Sequence, residues 1–593
     1  MKTRLLLATL ILVNAAWLAP ELHPPPDLND NVLHFTLIRG MTDQMEHGRN
    51  PLDFWTPEIA LGEPIARLYQ PLSHLMVAAL YFVCFKTIPL MTLFIWFRFL
   101  ALVLLPLSFY GCARLISLQQ SESFACALLS FLVSGDAFGL DYGSYVWSGH
   151  GLFPQLVATH LLLWTVGIAW KQIEHNSPRP TLLLSSGMLA AIFYANVCYG
   201  YAGAVCLVLM ALVRSRVKAV SWILLPAGLM IASKVWIWFD DAQYFSPHGW
   251  PLASGMQDSY GAVEVLKRLF TGQVFDGGRL PMLSLLVLSG IVYVLFRHDL
   301  VRAFLLTAFP VFLLLYFGRP FWGSALWLFG IPSAMQMHRF IGLVQMFGMF
   351  LAGIAFNKLW QACEHFWESR LIATCLLLLY LAIPAQERFF YLKQNAQWSQ
   401  RTRTAFAAEQ RDIDAAFQLV KVRGGRAYAG LPAQWGNQFK VGDVPFYSLF
   451  PINGIPCVGY EYLGFFPAND EMYRFREVVP EDYARFNVRT VVAPITQLLP
   501  AFLKPVAGFG RFILYATPAD NTGYFDSHGA KLYVSTDFTA WVEGPAHLTY
   551  RMTWHPNWTA KSDQTTLGTF AESDGFIGFQ VPSGTHLVTM AYR

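Results

Sequence analysis

Charge is what this sequence has least of. Of its 593 residues, 42 are Lys or Arg and 38 are Asp or Glu, so charged side chains make up 13% against 55% hydrophobic ones. Soluble domains carry about 25% charged residues. That shortfall, with a mean hydropathy of +0.39, excludes a chain solvated by water along its whole length. A net charge of +4 with no dense basic run gives no footprint for nucleic acid. Cysteine is sparse as well: there are eight, all but Cys457 at or before Cys375. No pair has metal-ligand or redox spacing, so they read as small buried hydrophobes. The last third of the chain has no Gly-rich phosphate loop, no His/Cys metal cluster and no nucleophile elbow.

What fills the sequence instead is long apolar runs. Lys2 and Arg4 precede the first, Leu5 to Leu18. No small-x-small cleavage site precedes Pro24 to Pro26, so the run reads as an uncleaved helix, its basic end in the cytoplasm. Further runs follow at about 72–85, 89–113, 122–134, 153–170, 181–195, 197–213, 219–238, 281–296, 301–317, 339–357 and 370–384. Several are shorter than the roughly 20 residues that cross a bilayer core. The reading is about eleven or twelve spans within residues 1–385, with the short runs at 72–85 and 122–134 leaving the parity open. Arg214, Arg216 and Lys218, and then Arg297 and His298, fit cytoplasmic turns.

The loops carry the chemistry. Residues 21–71 form a long polar insertion. In it Asn29 or Asp30 can cap a helix whose apolar positions Leu33, Leu37, Ile38, Met41 and Met45 recur at helical spacing. Such a helix is expected along the membrane surface. Asp30 and His34 are four apart and share a face. Asp30 is either a cap or an acid at the water–membrane boundary that takes a proton from a hydroxyl substrate. A second polar island, Ser134 to Gly151, contributes Asp136 and Asp141, which either face a cavity or hold turns. A third, Arg319 to Arg339, places His338 and Arg339 where a late span begins. A cation there either snorkels to headgroups or binds phosphate, for which guanidinium is well suited. Arg98 and Lys234, in or beside apolar runs, pose the same choice.

From about Gln386 the composition shifts, and residues 386–593 read as a soluble domain. Thr402 to Val422 has helical spacing, and Gly424 and Gly425 break it. Strand-like runs follow at Thr490–Ala493, Arg511–Ala516, His547–Trp554, Gly575–Val581 and Thr585–Tyr592, the last two separated by a turn signal at Pro582 to Gly584. The expected fold class is a multi-pass α-helical membrane protein with a C-terminal mixed α/β domain ending in a β-rich module.

Several of these segments resemble a known group. The opening of the external loop with Asp30 and His34, the stretch Pro51 to Trp55, and Tyr69-Gln70-Pro71-Leu72 entering the next span are similar to the first external loop of bacterial membrane proteins with the glycosyltransferase C (GT-C) fold. The nearest group is the one labelled 6-pyruvoyl-tetrahydropterin synthase-related membrane protein. Met335 to Phe340 resembles that group's Arg-containing motif. Phe486 to Val492, His555 to Trp558 and Val581 to His586 are similar to the tail of YfhO-type proteins. The Asp-Glu pair of some GT-C transferases is missing from the loop.

The resemblance implies transfer of a sugar, with inversion, from a polyprenyl-phosphate carrier to a glycan, lipid or protein acceptor at the outer face of a bacterial cytoplasmic membrane. It implies Asp30 as base, and His34, Tyr69, Asp136, Asp141, His338 and Arg339 as substrate-binding residues. The expected ligands are membrane lipid and the lipid-linked sugar donor, with a divalent metal left open and nucleic acid excluded. A transporter or flippase of lipid-linked glycans, or an inactive envelope scaffold, are the competing readings.

Overall fold

The structure is a computed structural model that describes residues 2–24, 30–135, 137–246, 255–297, 299–333, 335–460, 465–518 and 523–593. The chain packs as two compact units, both discontinuous in sequence. One is Met1–Pro24, Gln70–Val235 and Leu252–Ser399; the other is Pro25–Tyr69, Trp236–Pro251 and Gln400–Arg593.

The first unit is helical and membrane-embedded. All twelve apolar runs fold as helices, from Lys2–Leu18 to the start of Arg370–Arg423. Among the described residues seven helices are long and apolar enough to cross a membrane. An eighth is added if Leu300–Tyr316 and Arg319–Phe329, bent by 86°, make one span. Leu72–Val83 and Met282–Leu295 are apolar but shorter. Helix Phe340–Trp367 lies at the centre, buried at every position from Phe340 to Ala355.

Several polar groups inside this unit pair with one another, as a lipid environment favours. Pro106 interrupts helix Leu90–Leu115 and cannot donate to the Leu102 carbonyl. Asn14 supplies the missing donor, its Nδ2 lying 3.2 Å from Leu102 O and 3.1 Å from Val103 O. Asn14 Oδ1 accepts from Tyr142 and from Arg388, whose guanidinium lies 3.8 Å from the Tyr142 ring centroid. Arg98 is buried 3.7 Å from Glu21. Glu21 also accepts from the Trp147 amide and from Asn395. Arg98 is therefore an internal ion-pair member and does not reach the headgroups. All eight cysteines are free thiols.

The second unit holds the external loop together with the C-terminal residues. Helix Asn31–Glu46 forms where the apolar periodicity predicts it, but it is no surface helix. Asn31 to Ile38 are buried without a break, whereas a helix lying on a membrane keeps one polar face open. Arg39 fixes it with three bonds, to the carbonyls of Ile452 and Pro451 and to Glu58.

A mixed five-stranded sheet orders Cys457–Val458, Arg426–Tyr428, Val488–Pro494, Phe512–Ala516 and Lys504–Phe509. The first three are parallel, the others antiparallel. The β-rich module is antiparallel and centred on two long strands, Thr539–Thr553 and Phe576–Tyr592. The turn expected at Pro582 to Gly584 is instead a bulge within the second strand. The register shifts between Gly544 and Ala546, and Gly584 pairs with Gly544 at a φ of 116° that suits glycine.

Candidate functional site

In the membrane unit the chemistry gathers around the loop from Gly135 to Leu152. This loop has few regular elements, so side chains hold it. Gln345, fully buried on the central helix, accepts from the Leu140 amide at 2.6 Å and donates to Val274 O at 2.7 Å. Asp141 accepts from Ser144 N, Ser144 Oγ and Gly135 N, closing the short turn Tyr142–Ser144. A Cβ on Gly149 would lie 1.6 Å from the Gly143 carbonyl oxygen, so glycine is required there. His338 is buried among the rings of Phe138, Tyr260 and Tyr316, its Nε2 2.6 Å from Ala137 O. In these positions Asp141 holds a turn, and His338 pegs the Ala137–Phe138 backbone. Asp136 lies outside the described residues.

Arg339 stands at the first turn of helix Phe340–Trp367, half-buried. Its Nη1 donates to Gln155 Oε1 at 2.9 Å and its Nε to Gln336 Oε1 at 2.6 Å. Its Cζ is 5.0 Å from the Phe138 ring centroid. Nη2 has no hydrogen-bond partner among the described residues. The Gln155 amide is itself fixed, Nε2 donating to Phe138 O at 2.6 Å and to the Tyr145 hydroxyl at 3.2 Å. His150 stacks on Phe138 at 5.0 Å. Burial, and then the charge of Arg339, hold this imidazole below its ordinary pKa, so it is neutral near pH 7. The guanidinium is oriented by two neutral amides, and among the described residues no carboxylate is bonded to it.

The second unit places Asp30, His34 and Tyr69. Asp30 occupies the N-cap position of Asn31–Glu46 with helical φ and ψ, and its carboxylate makes no capping hydrogen bond. Asn29, the other cap candidate, lies outside the described residues. Asn31 beside it is 1% exposed, and both its amide atoms lack a partner among the described residues. Such a group is costly unless a polar ligand or water meets it. His34 is buried, with its ring centroid 6.3 Å from that of Tyr69.

The same unit contains an ionic knot that sequence reasoning missed. Arg67 donates to Asp241 from Nε at 2.7 Å and from Nη2 at 3.2 Å, and to Asp53 from Nη1 at 2.7 Å. The Tyr592 hydroxyl donates to Asp53 at 2.8 Å, and His555 Nε2 is 3.5 Å from Asp241. Burial lowers the guanidinium's pKa, but hydrogen bonds to Asp241 and Asp53 outweigh it and raise the value overall. Beside the knot, Trp55 meets Trp558 edge-on at 4.9 Å and Tyr592 at 5.2 Å. Loop residue Asp53 and strand residue Tyr592 share a hydrogen bond, so the loop and the C-terminal strand pack within one unit. The motifs Pro51 to Trp55 and His555 to Trp558 are thus the two halves of a structural clasp. Among the described residues no three His, Cys, Asp or Glu side chains converge to hold a metal ion.

No family model and no curated protein matches the sequence. Solved structures do. Arabinofuranosyltransferase AftD from Mycobacteria is similar at a TM-score of 0.54 and 14% identity over 88% of this chain, which spans 41% of that protein. The Archaeoglobus fulgidus oligosaccharyltransferase in its apo form gives 0.53 and 11% identity over 82% of this chain and 69% of its own. The same organism's AglB, in complex with an inhibitory peptide and a dolichol-phosphate, gives 0.50 and 12% over the same shares. The fold of this chain is accordingly the GT-C fold of membrane glycosyltransferases.

Proposed function

We propose that this protein transfers a sugar, with inversion, from a polyprenyl-phosphate carrier to an envelope acceptor at the outer face of a bacterial cytoplasmic membrane, and that it belongs near the YfhO-like branch of GT-C proteins. The observation that carries the reading is Arg339: a guanidinium held by Gln155 and Gln336, with no partner for Nη2 among the described residues, at the start of an apolar helix. A lipid phosphate leaving group requires a cation at the membrane boundary, fixed in advance so that no reorganisation is needed as negative charge develops. AglB, which shares the fold, is seen with dolichol-phosphate, a lipid phosphate of the same chemical class.

In the proposed reaction an acceptor hydroxyl oxygen bonds to the anomeric carbon from the face opposite the carrier. The bond from that carbon to the phosphate oxygen breaks, its electron pair leaves with the phosphate, and Arg339 balances the added charge. The hydroxyl proton goes to Asp30. His34 and Tyr69 are assigned to sugar or acceptor binding. Asp141 and His338 act by holding the loop that carries Phe138. The C-terminal residues of the second unit, from Gln400 onward, help to hold the acceptor.

The test is sugar transfer by protein reconstituted in nanodiscs with a panel of polyprenyl-phosphate sugars. Asp30→Asn keeps a short polar side chain at the helix start but removes the base. Product should disappear while donor binding stays at the wild-type level. Normal product formation by this variant takes Asp30 out of the mechanism.

A further inference from the structure

A second polar site lies in the membrane unit, at the ends of three helices: Arg179–Ala195, Val197–Arg214 and Val217–Asp241. Their connecting segments line a cavity of about 650 Å³. Arg179, Arg216 and Lys218 contribute three cations, Asn176 and Ser215 contribute neutral donors, and no carboxylate is in the lining. Arg179 is held over the Trp222 ring at 4.3 Å, which orients the guanidinium without neutralising it. Nearby Glu174 is already engaged by Arg214 at 3.0 Å and by Lys171 at 3.7 Å, and so is not available to the three. Beside the cations the lining turns apolar, and Leu212 (66%), Val217 (62%) and Trp222 (43%) are exposed. The cavity thus combines cations with open apolar surface, the two features of a lipid headgroup and its chains.

We infer that this cavity binds the phosphate headgroup of an anionic glycerophospholipid, with the acyl chains running down the exposed apolar side chains. Three cations around a cavity without a carboxylate select for negative charge. Arg179 and Arg216 can each give a pair of parallel N–H bonds to phosphate oxygens. Basic pockets between transmembrane helices are suited to this ligand class. The cavity is distinct from the Arg339 site and does not depend on the proposed reaction.

The experiment uses the full chain in nanodiscs of phosphatidylcholine alone or with phosphatidylglycerol, and native mass spectrometry reads the lipids retained. Wild type should keep phosphatidylglycerol in preference to phosphatidylcholine. The triple change Arg179→Gln, Arg216→Gln and Lys218→Gln should weaken retention roughly 100-fold, at about fivefold for each cation near the surface. The single change Arg216→Glu, at an exposed position, should weaken it by roughly tenfold or more, whereas Arg297→Gln on another loop should leave it unchanged. Equal retention by wild type and the triple variant overturns the site. Displacement of the lipid by inorganic phosphate at equal concentration overturns the lipid as its ligand.

Discussion

Gln155 is the residue through which the Arg339 site can be tested without touching the cation. Its Oε1 accepts from Arg339 at 2.9 Å, and its Nε2 donates to Phe138 O at 2.6 Å and Tyr145 Oη at 3.2 Å. Gln155→Leu removes both functions and strands at least two buried polar partners. Each costs about 1–3 kcal/mol, so the variant should lose roughly 2–6 kcal/mol of stability and orient Arg339 less well. Gln155→Glu keeps the acceptor and loses the donor, so its stability falls too, but it also sets a negative charge against the guanidinium. At a separation of about 4 Å and an effective dielectric near 20, opposite unit charges interact by ~4 kcal/mol. A phosphate must now compete with that carboxylate, and each 1.4 kcal/mol lost is a tenfold loss of affinity. Lipid-phosphate binding should therefore fall about 10- to 1000-fold in Gln155→Glu and distinctly less in Gln155→Leu. The assay is polyprenyl-phosphate binding to both variants in nanodiscs, with thermal unfolding of each alongside. Wild-type binding by Gln155→Glu would refute the idea that Arg339 is kept free of carboxylates for an anion.

Two further predictions concern the second unit. Glu63 is fully buried, its Oε1 accepting from Phe465 N at 2.9 Å and from Asn469, and burial raises its pKa well above the ordinary 4.5. The folded state thus binds this proton more tightly than the unfolded chain, and the stability it contributes below 4.5 is lost as pH rises through the raised value. Glu63→Gln should raise the melting temperature at neutral pH and flatten that slope; parallel melting profiles for variant and wild type would contradict this. Trp558, 2% exposed and edge-on to Trp55, should cost about 3–5 kcal/mol on replacement by Ala. Limited proteolysis should then cut the loop after Asn50 faster, and an unchanged cleavage rate would show that the clasp does not hold the loop.

Much of the fold was legible because the bilayer writes it in composition: every apolar run is a helix, although the length needed to span is reached by fewer of them. Local strand patterning also located Val488–Pro494 and Phe512–Ala516. What composition hides is the partner. The apolar stripe of Asn31–Glu46 predicts a helix, but burial on all sides depends on segments hundreds of residues away. Pro582 to Gly584 has turn chemistry, and the pairing opposite Gly544 makes it a bulge. In the candidate site Arg339 stood out as a charge at a span's edge. The residues that orient it, Gln155 and Gln336, are neutral amides; a Gln opening the apolar run at 153–170 was the available signal. Arg67 and Asp241, 174 positions apart, gave none.

The central claim is that Arg339 holds a lipid phosphate, and direct binding of polyprenyl phosphate to the purified protein tests it. Wild type should bind, and Arg339→Lys should bind about tenfold more weakly, since an ammonium cannot reproduce the planar fork. Arg339→Ala should show almost no binding at unchanged fold. A headgroup-snorkelling arginine predicts the opposite pattern, because lysine reaches the interface equally well. Undiminished binding by Arg339→Ala would contradict the account.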